Sequence, residues 1–238
     1  MPQKTKCMLV GSSHKLRKSR DLHLTIGDYK IECVKQYKLL GVNLDNNLKR
    51  LYHVDNIHKK LTNKVLLLRW VKPYITLKMR KLYYNSYILP ILDYGIILRQ
   101  FAPKHKLKKI VNIQKWTACM ILDKLWDHPS NLLFKEFNWL TLQSHITYHV
   151  ALLVFKIHTD LAPYYLKTIL LFISNSRYEL RSESRYHLAQ TKKKSYYSNL
   201  TLQSISVPIW NNIPEHMKSA ITVNTIKSML KKHLLYTY

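Results

Sequence analysis

Tyr37-Lys38-Leu39-Leu40-Gly41-Val42-Asn43-Leu44-Asp45 is the stretch that decides the fold. Leu40, Val42 and Leu44 alternate with Gly41 and Asn43, the period-2 pattern of a half-buried strand. Everything before it reads as short strand, and almost everything after it reads as basic helix. It is the seam where a small sheet gives way to a helical region. Upstream, residues 4–10 form a strand candidate ending at Gly11, and the polar, basic run from Ser12 to Arg20 reads as a loop. Leu22, Leu24 and Ile26 then alternate with His23 and Thr25, and Ile31 and Cys33 alternate with Lys30 and Glu32. Gly27-Asp28 joins these runs as a two-residue hairpin, with glycine supplying the positive φ. So few short strands do not stand alone, and a covering layer is required.

That layer follows. Val54, Ile57, Leu61, Val65 and Leu68 fall at helical spacing, with Asp55 in the first turn and Pro73 as terminator. A second helix is predicted from Leu77 to Leu89, stopping before Pro90, and a third from Lys104 to Leu125. A short helix at 131–137, a longer one at 142–159 and a turn opened by Pro163 continue the pattern. From Ser174 to about Val207, Arg177, Arg181, Arg185 and Lys192-Lys193-Lys194 stand among Ser, Tyr and Asn, and the segment reads as an extended arm. Pro208-Ile209-Trp210-Asn211-Asn212-Ile213-Pro214 is a turn-bounded apolar anchor, followed by an amphipathic helix from Thr222. The fold class expected is α+β, mainly α: a small antiparallel β-sheet in 1–48, a helical bundle in 49–173, and a basic arm with a C-terminal helix in 174–238.

The 238 residues are 47% hydrophobic, enough for a true core. Charge is the outlier: 39 Lys+Arg against 13 Asp+Glu give a formal net charge of +26. Such repulsion is relieved by a polyanion, so nucleic acid is the expected partner. Cys7, Cys33 and Cys119 have neither disulfide-framework nor zinc spacing, which fits a reducing, intracellular setting, nuclear or cytoplasmic. Met1-Pro2-Gln3-Lys4 does not open a secretory signal, and charged residues interrupt the most apolar stretches, so no membrane span is expected.

Four glycines exclude a phosphate-cradling loop of the Walker or dinucleotide type. His145 and His149 have a zinc-capable i, i+4 spacing but lack the general-base Glu of HExxH, and no metal site is expected. Asp21, Asp28, Asp45, Asp55, Asp93, Asp123, Asp127 and Asp160 are scattered singly, so no two-metal carboxylate cluster is readable. Basic and aromatic residues are interleaved instead, as in Lys81-Leu82-Tyr83-Tyr84-Asn85-Ser86-Tyr87. Trp70, Trp116, Trp139 and Trp210 are expected as core anchors rather than stacking platforms.

Several of these segments together resemble non-LTR retrotransposon reverse transcriptases of the jockey-like kind. Lys4-Thr5-Lys6-Cys7-Met8-Leu9-Val10-Gly11 is similar to the family's NxxKTKxMxFG segment, although Pro2 and Gln3 depart from it and the asparagine is missing. Leu24 to Val34 followed by Tyr37 to Asp45 resembles LxIxGxxIxxV and YKYLGVxID, the primer-grip hairpin. Tyr84-Asn85-Ser86-Tyr87-Ile88-Leu89-Pro90-Ile91-Leu92-Asp93-Tyr94-Gly95 resembles YNSxIxPxxDYG, and Pro163-Tyr164-Tyr165-Leu166 with Trp210-Asn211-Asn212-Ile213-Pro214 resembles PxYL … WNxLP. The resemblance implies the end of the palm, the thumb and a C-terminal extension. It puts Lys4 near the incoming nucleotide and makes Leu39, Leu40, Gly41 and Val42 primer-grip-like. The first thumb helix would set Lys49, Arg50, Lys59, Lys60 and Lys64 on the nucleic-acid backbone, gripping without reading sequence. The implied partners are an RNA/DNA primer–template duplex and the N-terminal part of the polymerase. The YxDD aspartates are not in this chain, so it is expected to have no catalytic residue and no cofactor of its own, Mg²⁺ belonging to the full-length enzyme. Two rival readings stay open: a stand-alone, non-enzymatic nucleic-acid-binding protein, and a decayed reading frame without function.

Overall fold

The computed structural model describes residues 5–18, 23–48, 51–170, 186–190 and 197–237. The fold is α+β and mainly α. It divides into two compact units, Met1–Trp126 and Asp127–Tyr238.

The first unit opens with β1 (Lys6–Cys7) and α1 (Ser13–Lys18). The expected loop over this basic stretch is a short helix, because the Ser12 hydroxyl accepts from the Lys15 amide and caps its first turn. Next come β2 (Thr25–Ile26), β3 (Tyr29–Lys30) and β4 (Glu32–Cys33). β2 and β3 are antiparallel, Ile26 opposite Tyr29, with Gly27 at φ +58°, the two-residue hairpin that Gly27-Asp28 predicts. β1 instead pairs in parallel with β4, Cys7 opposite Cys33.

The deciding stretch is not one strand. It is a hairpin of β5 (Gln36–Leu39) and β6 (Val42–Asp45), with Leu39 opposite Val42 and the chain reversing at Leu40-Gly41. Both turn residues have positive φ, +46° and +80°, as a type I′ turn requires. Alternation counts Leu40 as an inward strand residue, but it sits at the tip and is 83% exposed.

α2 (Leu51–Val71) starts three residues before the first apolar position of the sequence pattern and buries His53, Val54, Ile57, Leu61, Val65 and Leu68. Pro73 falls in a 3₁₀ turn, Lys72–Tyr74, that ends it. α3 (Leu77–Tyr83) is N-capped by Thr76, whose hydroxyl accepts from the Met79 amide. The helix does not stop before Pro90. It widens into a π turn at Tyr84–Ile88, where the Leu89 amide reaches back to the Tyr84 carbonyl, and resumes as α4 (Leu89–Asp93). Pro90 then lies in a first turn, where its missing N–H is no loss. α5 (Ile96–Arg99) and α6 (Lys104–Leu122) complete the unit. α2 packs on α6, β6 and α4, around the fully buried Leu61, Val65, Leu68, Ile88, Ile110 and Ile121.

The second unit contains α7 (Ser130–Phe137), α8 (Leu142–His158), α9 (Tyr165–Ile169), α10 (Leu202–Asn211), α11 (Glu215–Lys218) and α12 (Val223–Thr237). α10 and α12 pack on α8, which contributes Val150, Ala151 and Val154, all fully buried. The proline-bounded anchor is a correction too: Pro208 lies inside α10. It is exposed, so the carbonyl it leaves without an amide partner can face water. The anchoring role stands, since Trp210 is fully buried and its indole N–H donates to the Tyr186 carbonyl. Asn211 donates to the Leu188 carbonyl and accepts from the Leu188 amide, docking residues 186–190 of the arm. Residues 171–185 and 191–196, which carry the arm's Arg177, Arg181, Arg185 and Lys192-Lys193-Lys194, lie outside the described residues.

Candidate nucleic-acid interface

The hairpin tip is constrained by its own backbone and by a distant side chain. Leucine at φ +46° is an unusual choice, because its Cβ crowds the backbone there. Tyr94, 54 positions downstream, holds the tip: its hydroxyl donates to the Leu40 carbonyl. A Cβ on Gly41 would meet Cε1 and Oη of the same ring at 3.3 Å. Glycine is therefore favoured at position 41 by its φ, and any Cβ there would make the Tyr94 ring yield by a few tenths of an ångström. Gly95, at φ +64°, takes the left-handed conformation that glycine favours, and it faces β6 and α2 at ordinary contact distance: a Cβ there would lie 3.7 Å from Val42 Cγ2 and 3.9 Å from His53 Nε2. The Asn43 amide donates to His53 Nδ1 at 3.4 Å, so the neutral ring carries its proton on Nε2. Two sequence motifs, Leu40-Gly41-Val42 and Tyr94-Gly95, thus meet in one cluster.

Arg99 supports that cluster from behind. It is fully buried, and its Nη2 donates to the carbonyls of Ile91 at 2.9 Å and Tyr94 at 2.8 Å. These bonds fix the turn that presents the Tyr94 ring. Burial pulls the guanidinium down to about 10, against the opposing effect of the Asp93 charge. Its Nε and Nη1 have no hydrogen-bond partner among the described residues. Nearby, burial pushes the Tyr84 hydroxyl far above the ordinary tyrosine range.

Of the residues singled out by sequence, Leu39, Leu40, Gly41 and Val42 surround the turn, with Leu39 and Leu40 projecting into solvent. Lys4, Lys49 and Arg50 lie outside the described residues. Lys59 and Lys60 are exposed on α2, and Lys64 is half-buried with its ammonium 5.4 Å from the centre of the Tyr87 ring. At about 100° per residue, Lys60 and Lys64 share a flank of the helix, whereas Lys59 rides its outer crest. The basic residues therefore cover a broad face rather than a line. The acid of the same helix, Asp55, is neutralised by Lys106, whose ammonium stands 2.7 Å from both carboxylate oxygens. Lys72 and Arg80 likewise hold Asp123, and their hydrogen bonds keep its carboxyl below the usual range.

Some of these features have no trace in the sequence. Neither the Tyr94 contact nor the burial of Arg99 has a local signature, because each arises from a long-range meeting. Trp70 is a correction: it is 78% exposed, not a core anchor, because it falls on the face of α2 opposite the buried stripe. Trp210 is the anchor expected, Trp139 is buried and stacks on Phe137 at 4.2 Å, and Trp116 is half-buried. In the second unit His145 and His149 lie one turn apart on α8, their rings stacked at 6.2 Å.

Comparison with known proteins adds a relationship for part of the chain. Over 93 residues, 38% of its length, it is 31% identical to the RNA-directed DNA polymerase from mobile element jockey of Drosophila melanogaster. Part of this chain is similar to an RNA-directed DNA polymerase. The match spans a tenth of that polymerase. No protein-family model matches the chain, and no solved structure matches it. No helix among the described residues is long and apolar enough to cross a membrane.

Proposed function

We propose that this chain is part of an RNA-directed DNA polymerase of a mobile element, and that its first unit holds a primer–template duplex. The hairpin tip positions the primer end, and the basic face of α2 follows the phosphate backbone. The observation that carries this reading is the held tip: two motifs shared with the reverse-transcriptase pattern meet as Tyr94 over Leu40-Gly41. The net charge of +26 and the partial similarity to the jockey polymerase also support it.

Chemistry is assigned elsewhere in the polymerase. Two-metal phosphoryl transfer needs converging carboxylates. In the first unit Asp55 and Asp123 are each held by cations and do not converge on a common point. These residues do not fit a pair of Mg²⁺ ions, and no catalytic step is assigned to them. In this reading strand synthesis requires the part of the polypeptide that carries the catalytic aspartates.

The test is binding of a labelled RNA/DNA duplex by the whole chain at graded salt. With roughly 6–10 phosphate contacts, affinity should fall by about 10³–10⁵ between 50 and 200 mM salt. Replacing Lys59 or Lys60 by Ala should lower the salt slope by about one for each phosphate that the lysine neutralises. A salt-independent affinity, or none at low salt, would refute the reading.

A further inference from the structure

Beside Lys59, which the duplex reading already uses, the outer crest of α2 carries exposed aromatic and apolar side chains that duplex gripping does not use. Tyr52, Lys59, Leu66 and Trp70 follow one another at intervals of seven, seven and four residues, so they form one stripe opposite the buried face. All four are exposed, Tyr52 by 56% and Trp70 by 78%. From Tyr52 to Trp70 the stripe is about 27 Å long at 1.5 Å per residue. A thumb helix that touched only phosphates would need lysine there and no aromatics.

We propose that this stripe is a stacking site for single-stranded nucleic acid, unpaired nucleotides continuing from the duplex. The inference rests on the reading above and assigns one face of its helix to a distinct ligand. The chemistry is complementary. Indole and phenol faces accept any base, and an ammonium between them meets the phosphates. Lys59 and the flanking Arg69 make no ion pair among the described residues, and Asp55, the acid nearest the stripe, is already neutralised by Lys106. The local field is therefore positive, which favours a polyanion over an acid-poor protein surface. Because stacking ignores base identity, the site is expected to be tolerant of sequence and to take RNA or DNA strands.

The experiment titrates the whole chain with 12-nucleotide single strands of uridine or thymidine, with the same strand made abasic, and with a blunt duplex. Both fluorescence and affinity are followed. The base-bearing strands should quench tryptophan emission and the abasic strand should not. Trp70→Ala should remove that quenching and weaken single-strand binding about 5- to 150-fold, the equivalent of roughly 1–3 kcal/mol of stacking. Blunt-duplex affinity should stay within about two-fold, and Trp70→Tyr should restore most of the loss. The exposed position makes misfolding an implausible cause, and circular dichroism of each variant checks it. Undiminished single-strand binding by Trp70→Ala would overturn the proposal. So would equal weakening toward duplex and single strand, or a Trp70→Ala effect confined to self-association, which would mark the stripe as a protein interface. If the duplex binds with the expected salt dependence while Trp70 is silent, this inference falls and the duplex reading stands. If neither ligand binds, both fall.

Discussion

Gly41→Ala is the sharpest perturbation of the hairpin tip. Position 41 has φ +80°, where an L-residue is disfavoured by roughly 1–2 kcal/mol. The added Cβ would meet Cε1 and Oη of Tyr94 at 3.3 Å, so the ring must yield by a few tenths of an ångström. The Tyr94 ring is half exposed and can swing, but in doing so it loses its hydrogen bond to the Leu40 carbonyl, worth about 0.5–1.5 kcal/mol. Against this, alanine restricts the unfolded chain and returns about 0.4–1 kcal/mol. The net expectation is a loss of about 1–3 kcal/mol in the stability of the first unit. The assay is urea unfolding of four chains: the parent, Gly41→Ala, Tyr94→Ala and the double variant. In the Tyr94→Ala background the steric part is gone, so Gly41→Ala should cost less by about 0.5–1.5 kcal/mol, the coupling between ring and glycine. Hydrogen exchange should show the Leu39 and Val42 amides opening faster in Gly41→Ala. A cost below about 0.5 kcal/mol, or an equal cost in both backgrounds, would refute the claim that Tyr94 holds the tip.

Leu40→Asn should separate stability from function: asparagine tolerates positive φ, so the turn should gain up to about 1 kcal/mol in urea unfolding while primer positioning weakens through loss of the exposed leucine. In the second unit, burial first and the Lys167 charge second hold His158 below the ordinary histidine value of 6.5. The unfolded chain therefore binds its proton more readily, and stability should fall as pH drops below about 6.5; thermal melts of His158→Phe between pH 7 and 5 should lose part of that slope. Cys7 and Cys33 face each other across β1 and β4, and neighbouring strands lie about 4.8 Å apart, so a mild thiol oxidant should join them. Titratable thiols should then fall from three to one, the buried Cys119 remaining.

The helical half of the chain is legible because apolar spacing reports burial directly. Ile57, Leu61, Val65 and Leu68 are in the core, as their spacing predicts. The Gly27-Asp28 turn is legible from dipeptide chemistry alone. The tip at Leu40-Gly41 reads wrongly as part of a strand because alternation sees side chains, whereas the turn depends on backbone that Tyr94 holds from a distance. Pro90 and Pro208 read as boundaries, yet a π turn admits one and an exposed flank the other. Residue type alone sends Trp70 to the core, although its helical angle, the same as that of Tyr52, already sets it on the polar side. Of the candidate site, the sequence indicates the hairpin and the lysines, while the buried support from His53 and Arg99 comes only from tertiary structure.

The central claim is that the hairpin tip meets the primer end. A photo-crosslinking amino acid in place of Leu40, with the chain bound to a primer–template labelled separately on each strand, tests it most directly. Cross-links to the last few nucleotides of the primer strand are the result expected. Cross-links spread along both strands, or none from a complex that otherwise forms, would contradict it.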